Sequence, residues 1–189
     1  MTKDIIKLSA TLLGLDDVVN YLSSPEEQPS EIVSTKINEL IIITNYCLRQ
    51  IVKEYFSLNH KEIVCSDSNC QIEYKNLSKT PISILDIKNN ANLSVTFNLY
   101  PEFIKVGTPN SNYLISYNWL PNNIESINQE ITLPFGLDYY ILCYGVASEY
   151  SLSKLLYSEA EMWESKFKNA LSSLKNLKGE RRFFARRLK

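Results

Sequence analysis

What the chain lacks narrows its chemistry first. One histidine, five glycines, two methionines and a formal net charge of minus 1 are spread over 189 residues. With His60 alone available, any serine–histidine or cysteine–histidine scheme has to use it; Cys65 is the nearest thiol in sequence, and no third orienting group is evident. The position of His60 favours a plainer role, a polar residue at a helix end turned toward the last carbonyls. The glycines stand at 14, 107, 136, 145 and 179, too scattered for either common phosphate-binding loop. No apolar window reaches the 18 or so residues of a spanning helix, and no overall basic excess marks a dedicated nucleic-acid binder. The paired carboxylates Asp16/Asp17, Glu26/Glu27 and Glu159/Glu161 fall where helix caps and first turns attract negative charge. The expectation is a non-enzymatic protein with no cofactor and no metal.

The four cysteines add little. Cys47 and Cys143 sit inside helical patterns, as small buried hydrophobes. Cys65 and Cys70 flank the turn formers Ser66-Asp67-Ser68-Asn69, which could set them across a hairpin; a reducing compartment disfavours a disulfide there, and zinc would need a second ligand pair at suitable spacing. The N-terminus, Met1-Thr-Lys-Asp-Ile-Ile-Lys, shows neither a secretory signal nor an anchor, which predicts synthesis and use in the cytosol and leaves the sequons at Asn76 and Asn92 without consequence.

What is present reads as one globular domain, 44% hydrophobic and 22% charged, of the α+β class. Ile5, Ile6, Leu8, Leu12 and Leu13 form a helical stripe over Thr2–Leu13, with Thr2 as cap and Gly14 as the left-handed stop. Asp16 caps a short turn to Leu22, and a polar linker through Pro25 and Pro29 follows. Ser30 then caps a long helix to about Tyr55, on which Val33, Ile37, Leu40, Ile41, Thr44, Leu48, Ile51 and Val52 recur at three- and four-residue steps. Its triple Ile41-Ile42-Ile43 predicts contacts on two sides. From Lys61 to Trp119 the period changes to two, with strands expected over 62–65, 71–75, 82–88, 94–100, 104–106 and 113–119. Ile82, Ile84 and Asp86 would share one face, as would Val95, Phe97 and Leu99. Pro134 opens a third long helix from Gly136 to about Leu156, whose Gly145, Ala147 and Ser148 let a neighbouring helix approach. A fourth starts at Ser158 with Glu161 completing a capping box; Trp163, Phe167, Ala170, Leu171, Leu174 and Leu177 form its stripe, and Gly179 stops it. The architecture expected is a bundle of about four helices (residues 2–58 and 134–178) with one antiparallel β-sheet insertion (61–119) between the second and third long helices, making a single domain over 1–179.

The near-zero charge conceals an asymmetry. Residues 180–189 hold five basic side chains against Glu180, a net of plus 4, so the other 179 residues carry minus 5. The basic arm Arg181-Arg182-Phe183-Phe184-Ala185-Arg186-Arg187-Leu188-Lys189 admits three readings: a solvated end, phosphate contact by the arginines, or docking onto a protein with the aromatics in a pocket and the cations on carboxylates. Two adjacent phenylalanines count against the first, and protein docking is favoured.

The order of elements also carries a resemblance. Ala10-Thr-Leu-Leu-Gly14 ends the first helix; the β insertion closes on Tyr113-Leu-Ile-Ser-Tyr-Asn-Trp-Leu-Pro121; Leu133-Pro-Phe135 precedes the next helix, which carries Tyr144-Gly-Val-Ala-Ser-Glu-Tyr150; Glu159-Ala-Glu-Met-Trp163 leads through Phe167 to the Arg-Arg-aromatic tail. This layout resembles the head–tail adaptor (connector, or tail-ring) proteins of tailed bacteriophages over nearly the whole chain. The resemblance implies a structural virion protein, assembled in the host cytoplasm and located in the neck region. It would form a ring, usually of twelve copies, between the portal protein and neighbouring tail or ring proteins, with DNA passing through the lumen unrecognised and no membrane involved. It further implies that Arg181, Arg182, Phe183, Phe184, Arg186, Arg187 and Lys189 form an arm reaching toward the portal or an adjacent ring, and that the β insertion touches neighbouring subunits or the tail. The rival expectation is a small non-enzymatic binding or regulatory module whose basic tail contacts nucleic acid or a protein.

Overall fold

The computed structural model of the chain describes residues 1–24 and 28–178. Contacts divide it into two compact units, one comprising Met1–Leu48 with the residues from Ile124 onward, the other Arg49–Asn123.

In the first unit, α1 (Thr2–Leu12) buries Ile5, Ile6, Ser9 and Ala10. It ends in a Schellman motif: Leu15 N–H donates to the Ala10 carbonyl at 2.9 Å and Gly14 N–H to the Thr11 carbonyl at 3.2 Å, with Gly14 at φ +66° as the sequence predicts. Thr2 is not a cap; Met1 holds that position, and the buried Thr2 hydroxyl donates to the Gln129 carbonyl. A second helix, α2 (Asp16–Ser23), is a full element burying Val18 and Leu22 rather than a passing turn. The long α3 (Glu31–Glu54) receives its expected cap, with Val33 N–H donating to Ser30 Oγ at 3.3 Å, and within this unit its stripe Val33, Ile37, Leu40, Ile41, Thr44 and Leu48 is buried. Ion pairs tie it to its neighbours: Lys36 to Asp17 at 2.6 Å and Glu39 to Lys154 at 2.9 Å.

Next comes α4 (Tyr139–Ser153), mostly enclosed: Ile141, Leu142, Cys143, Gly145, Val146, Ala147, Ser148, Tyr150 and Ser151 are buried, as expected of a helix packed on more than one side. It begins three residues later than the sequence suggests. Gly136 lies at φ +76°, outside helical space, and Asp138 Oδ1 accepts the Tyr140 N–H at 3.0 Å as the cap. Against α4 lies α5 (Tyr157–Lys178), burying Ala160, Phe167 and Leu171 and half-burying Trp163, Ala170 and Leu174. α5 begins at Tyr157, so Ser158 lies inside the helix rather than at its N-cap and the capping box with Glu161 does not form; the Ser158 hydroxyl donates to Glu159 at 2.8 Å. The small face of α4 is used within the chain. A Cβ on Gly145 would stand 3.0 Å from Phe167 Cε2, and Ser148 Oγ donates to the Ala160 carbonyl at 3.0 Å.

The second unit holds β1 (Leu58–Cys65), β2 (Gln71–Glu73), a 3-10 turn (Tyr74–Asn76), β3 (Pro81–Lys88), β4 (Asn98–Leu99), β5 (Phe103–Lys105) and β6 (Asn112–Trp119). They form two antiparallel three-stranded sheets, ordered β1-β6-β3 and β2-β5-β4. Ile72, Leu77, Ile87, Ile104, Val106, Tyr113, Ile115 and Tyr117 make the core.

This corrects the architecture expected from sequence: five helices rather than about four among the described residues, and two small sheets rather than one insertion sheet. Alternation marks which residues are strands, but pairing is a non-local choice that alternation does not encode. Register shifts between Pro81 and Ser83 and between Ile84 and Asp86 break the single face proposed for β3, leaving Ile82 exposed and Ile87 buried. The strand over 94–100 shrinks to Asn98–Leu99, with Leu99 exposed while Val95 and Phe97 pack on the core. β1 starts at Leu58, because Leu58, His60, Glu62 and Val64 alternate inward with Asn59, Lys61, Ile63 and Cys65 outward. His60 is therefore a strand residue and not a helix terminus.

Gly145 sets a packing test. Alanine there gains about 1 kcal/mol of helix propensity and meets a buried ring that resists displacement, so the two effects nearly cancel. We expect Gly145→Ala to fall within about 1 kcal/mol of wild type and Gly145→Leu to cost about 2–3 kcal/mol by urea denaturation. A leucine variant as stable as wild type would show that α4 and α5 are not in tight contact.

Candidate functional site

The seven arm residues singled out from sequence, Arg181, Arg182, Phe183, Phe184, Arg186, Arg187 and Lys189, lie outside the described residues, as does Gly179. The site therefore has to be sought on the body.

The nearest thing to catalytic geometry surrounds His60. Its Nε2 stands 3.1 Å from Ser78 Oγ, and its ring packs edge-on against Tyr117. The adjacent carboxylate does not complete a triad. Glu62 accepts the Ser78 backbone N–H at 3.0 Å and the Tyr117 hydroxyl, so it is committed to fastening β1 to the turn before β3 and to β6. Burial raises the Glu62 pKa, but the bonds from Tyr117 and Ser78 outweigh it and hold the carboxyl below the usual glutamate range. Burial first, and Glu62 after it, push the Tyr117 phenol upward. The arrangement is a polar clasp on a sheet face. Cys65 and Cys70 are free thiols: Cys65 ends β1 opposite Asn112 of β6, whereas Cys70 lies in the turn before β2, its carbonyl accepting the Val106 N–H at 2.9 Å. Asp67 Oδ1 accepts the Asn69 and Gln71 N–H groups at 2.9 and 2.7 Å and organises the turn, with Cys70 at φ +62°. Cys143 is buried, its thiol pushed up to about 11 by desolvation, and Cys47 is buried and shifted upward for the same reason, which makes both poor nucleophiles. Among the described residues no three His, Cys, Asp or Glu side chains gather as a metal site. A recess of about 310 Å³ beside β3 is lined by Tyr74, Pro81, Ile82, Ile84, Leu99 and Pro101 and offers no acid–base chemistry.

The elbow between α4 and α5 is different. Lys154 N–H donates to the Tyr150 carbonyl, Leu155 N–H to the Leu152 carbonyl at 3.0 Å, and Leu156 N–H to the Ser151 carbonyl at 2.9 Å: the same Schellman stop as in α1. Here the left-handed residue is Leu155, at φ +61°, where α1 uses glycine. A leucine in that conformation costs roughly 1–2 kcal/mol, and it gains nothing from burial, being 69% exposed. Leu152, Leu156, Tyr157 and Met162 are exposed around it. Five large apolar side chains on one elbow, one of them on a strained backbone, exceed the scattered surface hydrophobes that need no explanation.

Beside the elbow, α4 and α5 border a recess of about 190 Å³ lined by Ser148, Glu149, Leu152, Tyr157, Ala160, Glu161 and Glu164. Burial first and then the charge of Glu164 raise the pKa of half-buried Glu149. Glu164 also pairs with Lys168 at 2.5 Å. On α3, Ile42 and Tyr46, one turn apart, are exposed, so the second contacted side expected from the isoleucine triple is not occupied by this chain's described residues. Sequence reasoning missed the elbow and the recess. A leucine where a helix stop invites glycine was the only local signal. Compared with known proteins, the chain matches no family model and no curated protein.

Two outcomes test these assignments. Leu155→Gly should raise stability by about 0.5–1 kcal/mol, because relief of the left-handed leucine exceeds the unfolded-state entropy that glycine adds; a lower melting temperature would mean the side chain is needed for folding. For the clasp, a depressed Glu62 contributes stability above the ordinary carboxylate pKa of about 4.3 and loses it as pH falls through the folded value. Tyr117→Phe should therefore cost about 1–2 kcal/mol at pH 7 and progressively less in acid, seen as a narrowing gap between the urea midpoints of wild type and variant. A gap independent of pH would remove Glu62 as the partner.

Proposed function

We propose that this protein is a non-enzymatic structural subunit that assembles into a ring joining a phage portal to the tail. The observation that carries this reading is the exposed apolar elbow at Leu152, Leu155, Leu156, Tyr157 and Met162. A surface of that kind is spared from burial at a cost to the isolated chain, as expected for a subunit whose neighbours cover it. The order of motifs from Ala10 to Trp163 supplies the adaptor class, and exposed Ile42 and Tyr46 on α3 supply a second surface for a neighbour. An acidic body, minus 5 over residues 1–179, suits a lumen through which DNA has to slide, because like charge keeps the duplex off the wall.

The reading is tested by mass and shape. Analytical ultracentrifugation of the full chain should give a large multiple of 21.8 kDa, and negative-stain electron microscopy of the same sample should show annular particles. A monomer or dimer at all concentrations would overturn it in favour of a small regulatory module whose basic tail binds nucleic acid or a protein.

A further inference from the structure

The elbow recess and the arm are complementary in pattern as well as in sign. The recess is lined by the apolar side chains of Leu152, Tyr157 and Ala160 and by the carboxylates of Glu149, Glu161 and Glu164. The arm has two phenylalanines between two arginine pairs, Arg181-Arg182 and Arg186-Arg187. At about 190 Å³ the recess is smaller than the roughly 300–1,000 Å³ of small-molecule sites, but it offers room for an aromatic side chain. Carboxylates beside apolar side chains suit a ring accompanied by guanidinium groups, since arginine binds a carboxylate through paired donors and also lies flat on aromatic faces. Half-buried Glu149, beside the like charge of Glu164, is a carboxylate that an incoming cation would relieve.

Chain geometry decides whose arm fits. Ala160 precedes Lys178 by 18 residues of continuous α5, about 27 Å at 1.5 Å per residue. Phe184 follows Lys178 by six residues, which span at most about 22 Å when fully extended. Before any allowance for the reversal of direction, Phe184 falls short of Ala160 on its own chain. We propose that the arm 181–189 of one copy docks in the α4–α5 recess of a second copy, with Phe183 or Phe184 against Leu152, Tyr157 and Ala160 and the flanking arginines on Glu149, Glu161 and Glu164. The contact requires two copies of this chain and nothing else, so it stands apart from the adaptor reading.

The test uses two full-length charge-reversal variants, Glu161→Arg/Glu164→Arg and Arg186→Glu/Arg187→Glu. Glu161 and Glu164 are exposed on α5, so the first variant should keep the wild-type circular dichroism spectrum. Sedimentation should show each variant self-associating about tenfold or more weakly than wild type. An equimolar mixture of the two should recover association, because the acidic arm of one fits the basic recess of the other. Wild-type association by either variant, or a mixture that recovers nothing, overturns the proposal. Should the recess variant fail to fold, Arg186→Glu/Arg187→Glu carries the same decision alone: undiminished association defeats the proposal. A monomeric wild-type chain defeats it too. The adaptor reading fails separately: association through this contact without annular particles keeps the docking and loses the ring, whereas rings indifferent to both reversals do the opposite.

Discussion

The helical unit depends on the enclosure of most of α4. Its fifteen residues carry no charge except Glu149, and nine of them are buried. A helix enclosed in this way must be approached closely by its neighbours, and the means are small residues: Gly145 admits the Phe167 ring, and the Ser148 hydroxyl reaches across to the backbone carbonyl of Ala160. Because that hydroxyl is buried, its bond to α5 offsets a desolvation cost that would otherwise oppose the packing. With α4 enclosed, what this region can show to a partner is the ends of α4 and the outer faces of its neighbours. Among the apolar residues that remain exposed are Leu152, Leu155 and Leu156 at the end of α4, Tyr157 and Met162 on α5, and Ile42 and Tyr46 on α3.

The β unit solves a different problem. Two three-stranded sheets of short strands bury few side chains each, so side-chain hydrogen bonds to backbone carry more of the definition. Asp67 and Asn89 each accept two N–H groups from their own turns, at 2.7–3.0 Å, fixing how the chain reverses. Ser66 Oγ donates to the Thr108 carbonyl at 2.9 Å and accepts the Ser111 N–H, holding the start of β6 beside the end of β1. The clasp of Glu62, Tyr117 and Ser78 does the same for the opposite end. His60 joins that clasp as a neighbour of Ser78, which explains why a lone histidine beside a serine here is a structural group with no third member to orient it.

Features governed by local rules were legible in the sequence. The stripes of α3 and α5, the Gly14 stop, the Ser30 cap and the burial of Cys47 and Cys143 each follow from spacing within one or two turns. Features governed by distant partners were not. The division of six strands between two sheets depends on which edges meet, and the shift of His60 from helix end to strand follows from where α3 stops, two residues before Phe56. The recess escaped notice because Glu149 lies on one helix and Glu161 and Glu164 on the next, where each alone looks like an ordinary solvated acid. Leu155 escaped because the rule for helix stops searches for glycine, and the chain places leucine there against backbone preference. Such violations concentrate where a residue serves something other than folding. The arm was the reverse case: its composition was conspicuous, but it lies outside the described residues.

The arm and the recess also differ from a symmetric patch in what they can build. Two copies that join through the same surface close on a two-fold axis and stop at a dimer. An arm on one surface and a recess on another make a heterologous contact, in which each copy still offers a free arm and a free recess after pairing. Repetition of such a contact either closes into a ring or continues as a filament, according to the rotation between successive copies. Closure adds further stabilisation, because the last contact forms between groups already held at high effective concentration. The length of α5 is what prevents the simpler outcome. With about 27 Å of helix between Ala160 and Lys178, the first aromatic residues of the arm cannot fold back to Ala160 on their own chain. A chain with a shorter α5 could seat its own aromatic residue against Ala160 and remain alone. Under the proposed contact, an aromatic residue that cannot reach Ala160 on its own chain is available to the recess of a second copy.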